Sequence, residues 1–247
     1  MTASQTTAEI VAILFLATFV RSTLGFGEAL IGVPLLALLI PIKVAVPIAV
    51  LISITVAMTA LIQDWRHVHV RSASWLIAST LIGTPLGLLL LARVPAGAVK
   101  AILGLFLLGF SAFSLLHRKR TPLRDDRLAW PFGLGAGVLG GAYGMNGPPL
   151  VIYGMLRGWS PQRFRATLQG YFLPASLTAM AGYWLEGLWR PSVTHYYLIS
   201  LPAVLVATVL GRSTNSRLEP RAFLRYVNLG LLLVAVVLLA QNLPGAL

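Results

Sequence analysis

Almost all of this chain lies in long apolar runs without a charge, and runs of that kind have few folds open to them. Uncharged stretches cover Val44–Gln63, Ser72–Ala92, Leu128–Leu156, Ala166–Leu185, Pro191–Gly211 and Tyr226–Leu247. Each is near or above the roughly 20 residues that cross a hydrocarbon core as helix. Hydrophobic residues make up 57% and charged residues 11% of the chain, more apolar surface than one soluble core of this size encloses. The bilayer is therefore the expected solvent, and an all-α polytopic membrane protein the expected fold class. Ala101–Leu116 is shorter, but Lys100 and His117 at its ends extend it by reaching to the interfaces. Ala8–Leu24 has no basic residue before it and no small-residue cleavage signature, so it reads as a retained membrane segment rather than a signal peptide.

A net charge of +12 would suggest nucleic acid in a soluble protein. Here the basic residues crowd into alternate short loops. Arg66 and Arg71 share one; Arg118, Lys119, Arg120, Arg124 and Arg127 a second; Arg157, Arg163 and Arg165 a third; Arg212, Arg217, Arg221 and Arg225 a fourth. With those four loops in the cytoplasm, fourteen basic residues face in and only Lys43, Arg93, Lys100 and Arg190 face out, the positive-inside pattern. Arg21 is unassigned. Both termini then fall on the external side of a cell membrane, and no nucleic-acid partner is expected.

Glycine and proline are concentrated at two points. The first cluster is Gly25-Phe26-Gly27-Glu28-Ala29-Leu30-Ile31-Gly32-Val33-Pro34-Leu35; the second is Gly140-Gly141-Ala142-Tyr143-Gly144-Met145-Asn146-Gly147-Pro148-Pro149-Leu150. One offset matches Gly25 with Gly140, Gly32 with Gly147, Pro34 with Pro149 and Leu35 with Leu150. Three apolar segments follow each cluster, so the chain reads as a duplication: residues 1–117 as one membrane repeat, 118–128 as a basic cytoplasmic linker, 129–247 as a second repeat. Both halves obey the charge bias only if each crosses an odd number of times, which makes the repeats inverted. The leading pairs, Ala8–Leu24 with Phe26–Ile40 and Leu128–Ala142 with Gly147–Leu156, either cross fully or dip in and return as hairpins; charge counting does not separate the two.

So much Gly and Pro at one point breaks a helix and frees backbone groups that hydrocarbon does not satisfy. Such backbone has to be enclosed by protein or line a wet cavity, and free amides at a half-helix N-terminus bind anions. Pieces starting near Phe26 and Gly147 would offer two such ends. The alternative is close helix packing alone, since Gly133, Gly137, Gly141, Gly140 with Gly144, and Gly83 with Gly87 all have small-xxx-small spacing.

These motifs resemble the sulfite exporter TauE/SafE family of bacterial membrane transporters. The resemblance is carried by Leu24-Gly25-Phe26-Gly27 through Gly32-Val33-Pro34-Leu35-Leu36, and by Gly140-Gly141 through Gly147-Pro148-Pro149-Leu150-Val151-Ile152-Tyr153. It extends over about residues 8 to 243, with agreement in length and order of spans. It implies transport of small sulfur-containing or other organic anions, sulfite and sulfonates among them, across the cytoplasmic membrane, often with proton coupling. Glu28 departs from the family's pattern, standing where many relatives have a small residue.

Charges near a bilayer centre are costly and usually mark function. In the hairpin arrangement Arg21 becomes the counter-charge for an anion and Glu28 a proton carrier; with full crossing, Arg21 only anchors an interface. Gly25, Gly27 and Gly147 supply the broken backbone, and Tyr143, Asn146 and Gln169 the hydrogen-bonding side chains expected to face substrate. Tyr171, Ser53, Thr55 and Thr59 are further candidates for the path, against the simpler reading in which hydroxyls bond their own helix backbone. Gly135-Ala136-Gly137-Val138-Leu139-Gly140 matches GxGxxG but lies in an apolar helical run with no preceding strand, so the dinucleotide reading fails. His67 and His69 have no carboxylate cluster to complete a metal site. The expectation is a secondary anion transporter working by alternating access, with protons and the lipid bilayer as partners and no cofactor or metal. The rivals are a passive anion channel and, more remotely, an intramembrane enzyme acting on a phosphorylated lipid.

Overall fold

The computed structural model describes residues 3–64, 70–116, 128–159, 161–215 and 220–240. Among them there is no strand. Ten helices follow one another: α1 (Ala3–Leu24), α2 (Glu28–Leu39), α3 (Ile42–Asp64), α4 (Val70–Arg93), α5 (Ala96–Leu116), α6 (Ala129–Tyr143), α7 (Gly147–Leu156), α8 (Pro161–Leu185), α9 (Pro191–Asn215) and α10 (Pro220–Ala240). Five of them, α1, α3, α4, α5 and α9, are long and apolar enough to cross a membrane. The protein is inside out by the standards of a water-soluble fold: Leu205, Val206, Val209 and Leu210 of α9 and Ile82, Leu86 and Leu89 of α4 are exposed, while Arg21, Glu28, Ser53, Asn146 and Gln169 are buried. Lipid-facing helices have that distribution because hydrocarbon is their solvent. The loop positions Arg66, Arg118, Lys119, Arg120, Arg124, Arg127 and Arg217, and His67, His69 and His117, lie outside the described residues.

Both glycine clusters are helix breaks of three residues. α1 stops where Gly25 turns to φ 89°, with its amide donating to the Arg21 carbonyl at 2.6 Å, and α2 starts after Gly27 at φ 104°. α6 stops in the same way at Gly144, φ 66°, whose amide donates to the Gly140 carbonyl at 2.8 Å. This is the left-handed cap that a residue without Cβ adopts at least cost. The structure therefore pairs Gly25 with Gly144, and Gly27 with Asn146. The sequence match of Gly25 with Gly140 is off by four residues, one helical turn, which keeps the same helix face and so preserves the pattern while missing the point of breakage.

The returning arms are too short to cross. At 1.5 Å per residue, the 12 residues of α2 and the 10 of α7 reach about 18 and 15 Å, half of a ~30 Å hydrocarbon core. α2 folds back along α1, bringing Gly32 against Ala17 and Gly27 against Val20. Of the two arrangements left open by the sequence, the return arms take the re-entrant one.

Contacts then link the two halves element for element. α4 packs on α6 and α9 on α1; α3 packs on α8 and on α9, while α8 packs on α4; α5 packs on α10. Exchanging each element of one half for its counterpart in the other leaves this pattern unchanged. The α4–α6 contact is backbone against backbone. Gly133 lies at Leu76 and Ser79, Gly137 at Thr80 and Gly83, Gly141 at Thr84 and Leu88, so the two helices run parallel. α1 and α9 also run parallel, since Thr7, Ala8, Val11 and Ala12 share a groove with Ile199 and Ala203, and Phe19, Ser22 and Thr23 meet Gly211. The small-xxx-small glycines of α4 and α6 thus serve packing, as small residues do between membrane helices.

A Cβ at Gly137 would lie 2.9 Å from the Gly83 Cα, and overpacking of this kind costs about 1–3 kcal/mol. Gly137→Val is expected to lower the unfolding midpoint of the purified protein in detergent. Gly109, on α5 with open space around its Cα, is the control. There Gly109→Ala is expected to hold or raise the midpoint, because Ala is the better helix former by about 1 kcal/mol.

Candidate functional site

The first break brings two opposite charges to the helix ends that favour them. Arg21 is in the last turn of α1 and Glu28 is the first residue of α2; a cation at a helix C-terminus and an anion at an N-terminus both complement the helix dipoles. Folding the arms together makes them a buried salt bridge, Arg21 Nη1 to Glu28 Oε2, with side chains only 3% exposed. Arg21 is therefore not an interfacial anchor.

Three further elements close around the guanidinium. Arg21 Nη1 donates to Ser53 Oγ at 2.6 Å, and Nη2 donates to Gln169 Oε1 at 3.1 Å. Ser53 lies eleven residues from either end of α3, which puts the charge level with the middle of that helix. Gln169 Nε2 in turn donates to the Gly25 carbonyl at 3.1 Å, satisfying a backbone oxygen freed by the break. Ser176 donates to Ser53 at 3.3 Å, and the Phe172 ring lies beneath the guanidinium, 4.9 Å from Cζ to centroid, within cation–π range. Gln169, Phe172 and Ser176 fall at i, i+3 and i+7, one face of α8. Glu28 Oε1 and Arg21 Nε, both buried, have no hydrogen-bond partner among the described residues.

A cavity of about 20 Å³ opens beside this pair, between the two breaks. It is lined by Arg21, Phe26, Gly27, Glu28, Ala29 and Leu30 of the first break and its arms, Ser53 of α3, Gly144, Met145, Gly147 and Pro148 of the second break and α7, and Phe172 of α8. The two sides differ chemically. α2 presents the amides of Glu28, Ala29 and Leu30, the first-turn donors that a helix cannot pair internally. α7 begins Gly147-Pro148-Pro149, and proline has no amide hydrogen, so Gly147 is the sole donor among its first three residues. The expected pair of equivalent anion-binding helix ends is thus one donor-rich end facing one donor-poor end.

Asn146 and Tyr143 turn elsewhere. Asn146 Nδ2 donates to the Tyr171 hydroxyl at 3.4 Å, Tyr171 is 2.5 Å from Thr80 Oγ1, and Thr80 donates to the Gly133 carbonyl at 2.8 Å. With its proton committed to Gly133, Thr80 accepts from Tyr171, so the network runs in one direction from the second break into the α4–α6 seam. Tyr143 donates to the Val99 carbonyl on α5 at 2.8 Å. Neither Asn146 nor Tyr143 is among the residues lining the cavity. Thr55 bonds the Leu51 carbonyl and Tyr197, and Thr59 the Val56 carbonyl, the backbone-bonding role common for membrane hydroxyls. The structure therefore gathers Arg21, Gly25, Gly27, Glu28, Ser53, Gly147 and Gln169, and adds Phe26, Met145, Phe172 and Ser176, which sequence reasoning missed. The i, i+3, i+7 spacing from Gln169 was the available signal for the last two.

The family model described as sulfite exporter TauE/SafE matches residues 10–239. A curated relative from Cupriavidus necator, described as a probable sulfite/organosulfonate exporter TauE, is 26% identical over 233 residues, covering 90% of this chain and 89% of the relative. No solved structure matches.

Removing one partner of a buried pair costs about 3–5 kcal/mol, whereas removing both can be close to neutral. Arg21→Met is therefore expected to depress the unfolding midpoint in detergent strongly, Glu28→Gln to depress it less, and the double variant to recover most of the Arg21→Met loss. Additive losses in the double variant would contradict the pairing.

Proposed function

The chain belongs to the sulfite exporter TauE/SafE family, one of membrane transporters rather than enzymes, and on that premise we propose that it carries small sulfur-containing anions of the sulfite and organosulfonate class through the cavity between its two helix breaks. The observation that carries this reading is Arg21, a guanidinium buried level with the middle of α3 and held at a cavity whose wall includes the free first-turn amides of α2. Sulfur oxyanions suit that donor set: their oxygens accept from guanidinium and backbone amides, and an organic substituent would meet Phe26, Met145 and Phe172. The name of the Cupriavidus necator relative supports the same class.

Alternating access is the mechanism this geometry favours. By the measure in which one water needs about 10–15 Å³, a cavity of about 20 Å³ holds about one water and is too small for a four-atom oxyanion. The walls have to separate to admit substrate; among the described residues this cavity is not the open pore that a passive channel requires. The inverted relation of the repeats, residues 1–117 and 129–247, is supported by the charge bias of the loops, which both halves obey only if each crosses an odd number of times. Glu28 is the group assigned to proton coupling, since it is the acid bonded to the anion-binding cation. We further assign the protein to the cytoplasmic membrane with both termini external, following the charge bias of its loops.

The test is uptake into proteoliposomes of labelled sulfite, a C2 sulfonate and a carboxylate of similar size, with and without an imposed pH gradient. Accumulation of the sulfur oxyanions that responds to the gradient is expected, with Arg21→Met abolishing it and Glu28→Gln uncoupling it from the gradient. Flux that ignores the gradient in the wild type would overturn coupled transport, and no flux of any anion would overturn the reading.

A further inference from the structure

The Arg21–Glu28 pair raises a question that transport alone does not answer, namely which partner the cation keeps when an anion arrives. The bridge is single: Nη1 meets Glu28 Oε2, while Glu28 Oε1 and Arg21 Nε lie buried without hydrogen-bond partners among the described residues. Few groups could share the charge. Around the pair, α3 presents Ser53, α8 presents Gln169 to Arg21 and Phe172 to the cavity, the second break and α7 present Gly144, Met145, Gly147 and Pro148, and α10 is apolar over Leu231–Ala240. Among the described residues Arg21 is the one charged or titratable side chain turned to Glu28. The buried site therefore holds one positive and one negative charge, and a substrate anion brings a second negative charge against a single guanidinium. In a low-dielectric interior two anions on one cation are strongly disfavoured unless one of them takes a proton.

We propose that the site binds its anion together with one proton, Glu28 taking the proton and Arg21 the anion, so that the two travel as a neutral pair rather than being exchanged for one another. The inference rests on the anion-site reading above and adds the sign of its coupling. The charges balance throughout. Before binding, guanidinium and carboxylate sum to zero. On binding, a proton from water joins a carboxylate oxygen, the Nη1 hydrogen is released from Glu28 to a substrate oxygen, and guanidinium with anion again sums to zero. Arg21 keeps its proton, Ser53 and Gln169 hold the guanidinium in place, and no other group changes state. A competing arrangement, in which a proton expels the anion, would need protonation to weaken the cation; here protonation frees it.

The probe is ethanesulfonate, which stays a monoanion across the range used, so that only the protein titrates. Its dissociation constant for purified full-length protein in detergent is measured by calorimetry at several values between about pH 5 and 8, in buffers of differing ionisation enthalpy so that proton uptake is counted directly. The expected result is a tenfold tighter dissociation constant per pH unit of acidification wherever free Glu28 is ionised, since binding linked to one proton has unit slope, with one proton taken up per anion. Glu28→Gln is expected to bind independently of pH near the wild type's acid limit and to take up no proton. Ser53→Ala, which leaves both charges in place, is expected to shift the affinity and keep the slope. Binding that is indifferent to pH, or that releases a proton, would overturn the co-binding proposal while leaving the anion site standing. Folded wild type and Glu28→Gln that both fail to bind at every pH would overturn the anion site itself. If Glu28→Gln does not fold, the wild-type slope and proton count decide alone.

Discussion

A break in a helix inside hydrocarbon leaves carbonyls and amides that lipid does not satisfy, and each such group costs several kcal/mol. The arrangement of this protein follows from having two of them. The Gly25 carbonyl is met by Gln169, the Gly140 and Gly141 carbonyls by the Tyr183 hydroxyl at 2.9 Å, and Asn146 beside the second break by Tyr171. All three partners sit on α8. That helix is less apolar than its neighbours because it supplies the hydrogen bonds the two breaks lack. Gln169 and Tyr171 are two residues apart, yet one serves the first break and the other the second, so α8 is the post to which both are tied. Phe172 lines the cavity and lies under the Arg21 guanidinium.

Within that frame the two breaks solve one problem with different chemistry. In the equivalence set by the cap glycines, Arg21 corresponds to Gly140 and Gly27 to Asn146. In the first half a long side chain comes from the helix arm and the break itself is bare. In the second half the arm is bare, and Asn146 lies over it closely enough that a Cβ at Gly140 would come within 2.7 Å of the amide. The first hairpin thus carries two polar side chains in its mouth, Arg21 from α1 and Glu28 from α2, and the second carries one, Asn146 from the break itself. The consequence is chemical asymmetry: charge, acid and unpaired first-turn amides belong to the first break, prolines to the second.

The sequence made several of these features legible. The apolar runs and the two glycine clusters located the helices and their interruptions to within a few residues, because glycine in a membrane helix next to proline has few other uses. It did not reveal how far the return arms reach, since Lys43 and Arg157 mark where the arms end without showing on which side of the membrane. By residue identity Gly25 falls on Gly140, but by backbone it falls on Gly144, because the chain turns where Gly25 and Gly144 adopt positive φ, a property that identity alone does not carry. Tyr143 and Asn146 were expected at the cavity because they lie close to the break in sequence, but helix rotation turns Tyr143 to α5 and Asn146 to Tyr171. Phe172 and Ser176 went unnoticed as aromatic and hydroxyl residues of ordinary kinds; only their shared face with Gln169 sets them apart. Net charge counting could not reveal that Arg21 and Glu28 cancel each other, because pairing across a hairpin is a matter of three dimensions.

The interlocking of the halves bears on how the protein is made. Arg21 precedes Gln169, the side chain that braces it, by 148 residues, which at about 5–20 residues per second separates their synthesis by roughly 7–30 s. During that interval α1 has neither α8 nor its long parallel neighbour α9, and its buried cation has only Glu28 and Ser53 for company. In that interval the salt bridge is the charge pairing the first half can make by itself. The same residue pair that is braced in the finished fold serves beforehand as the escort of an unfinished one.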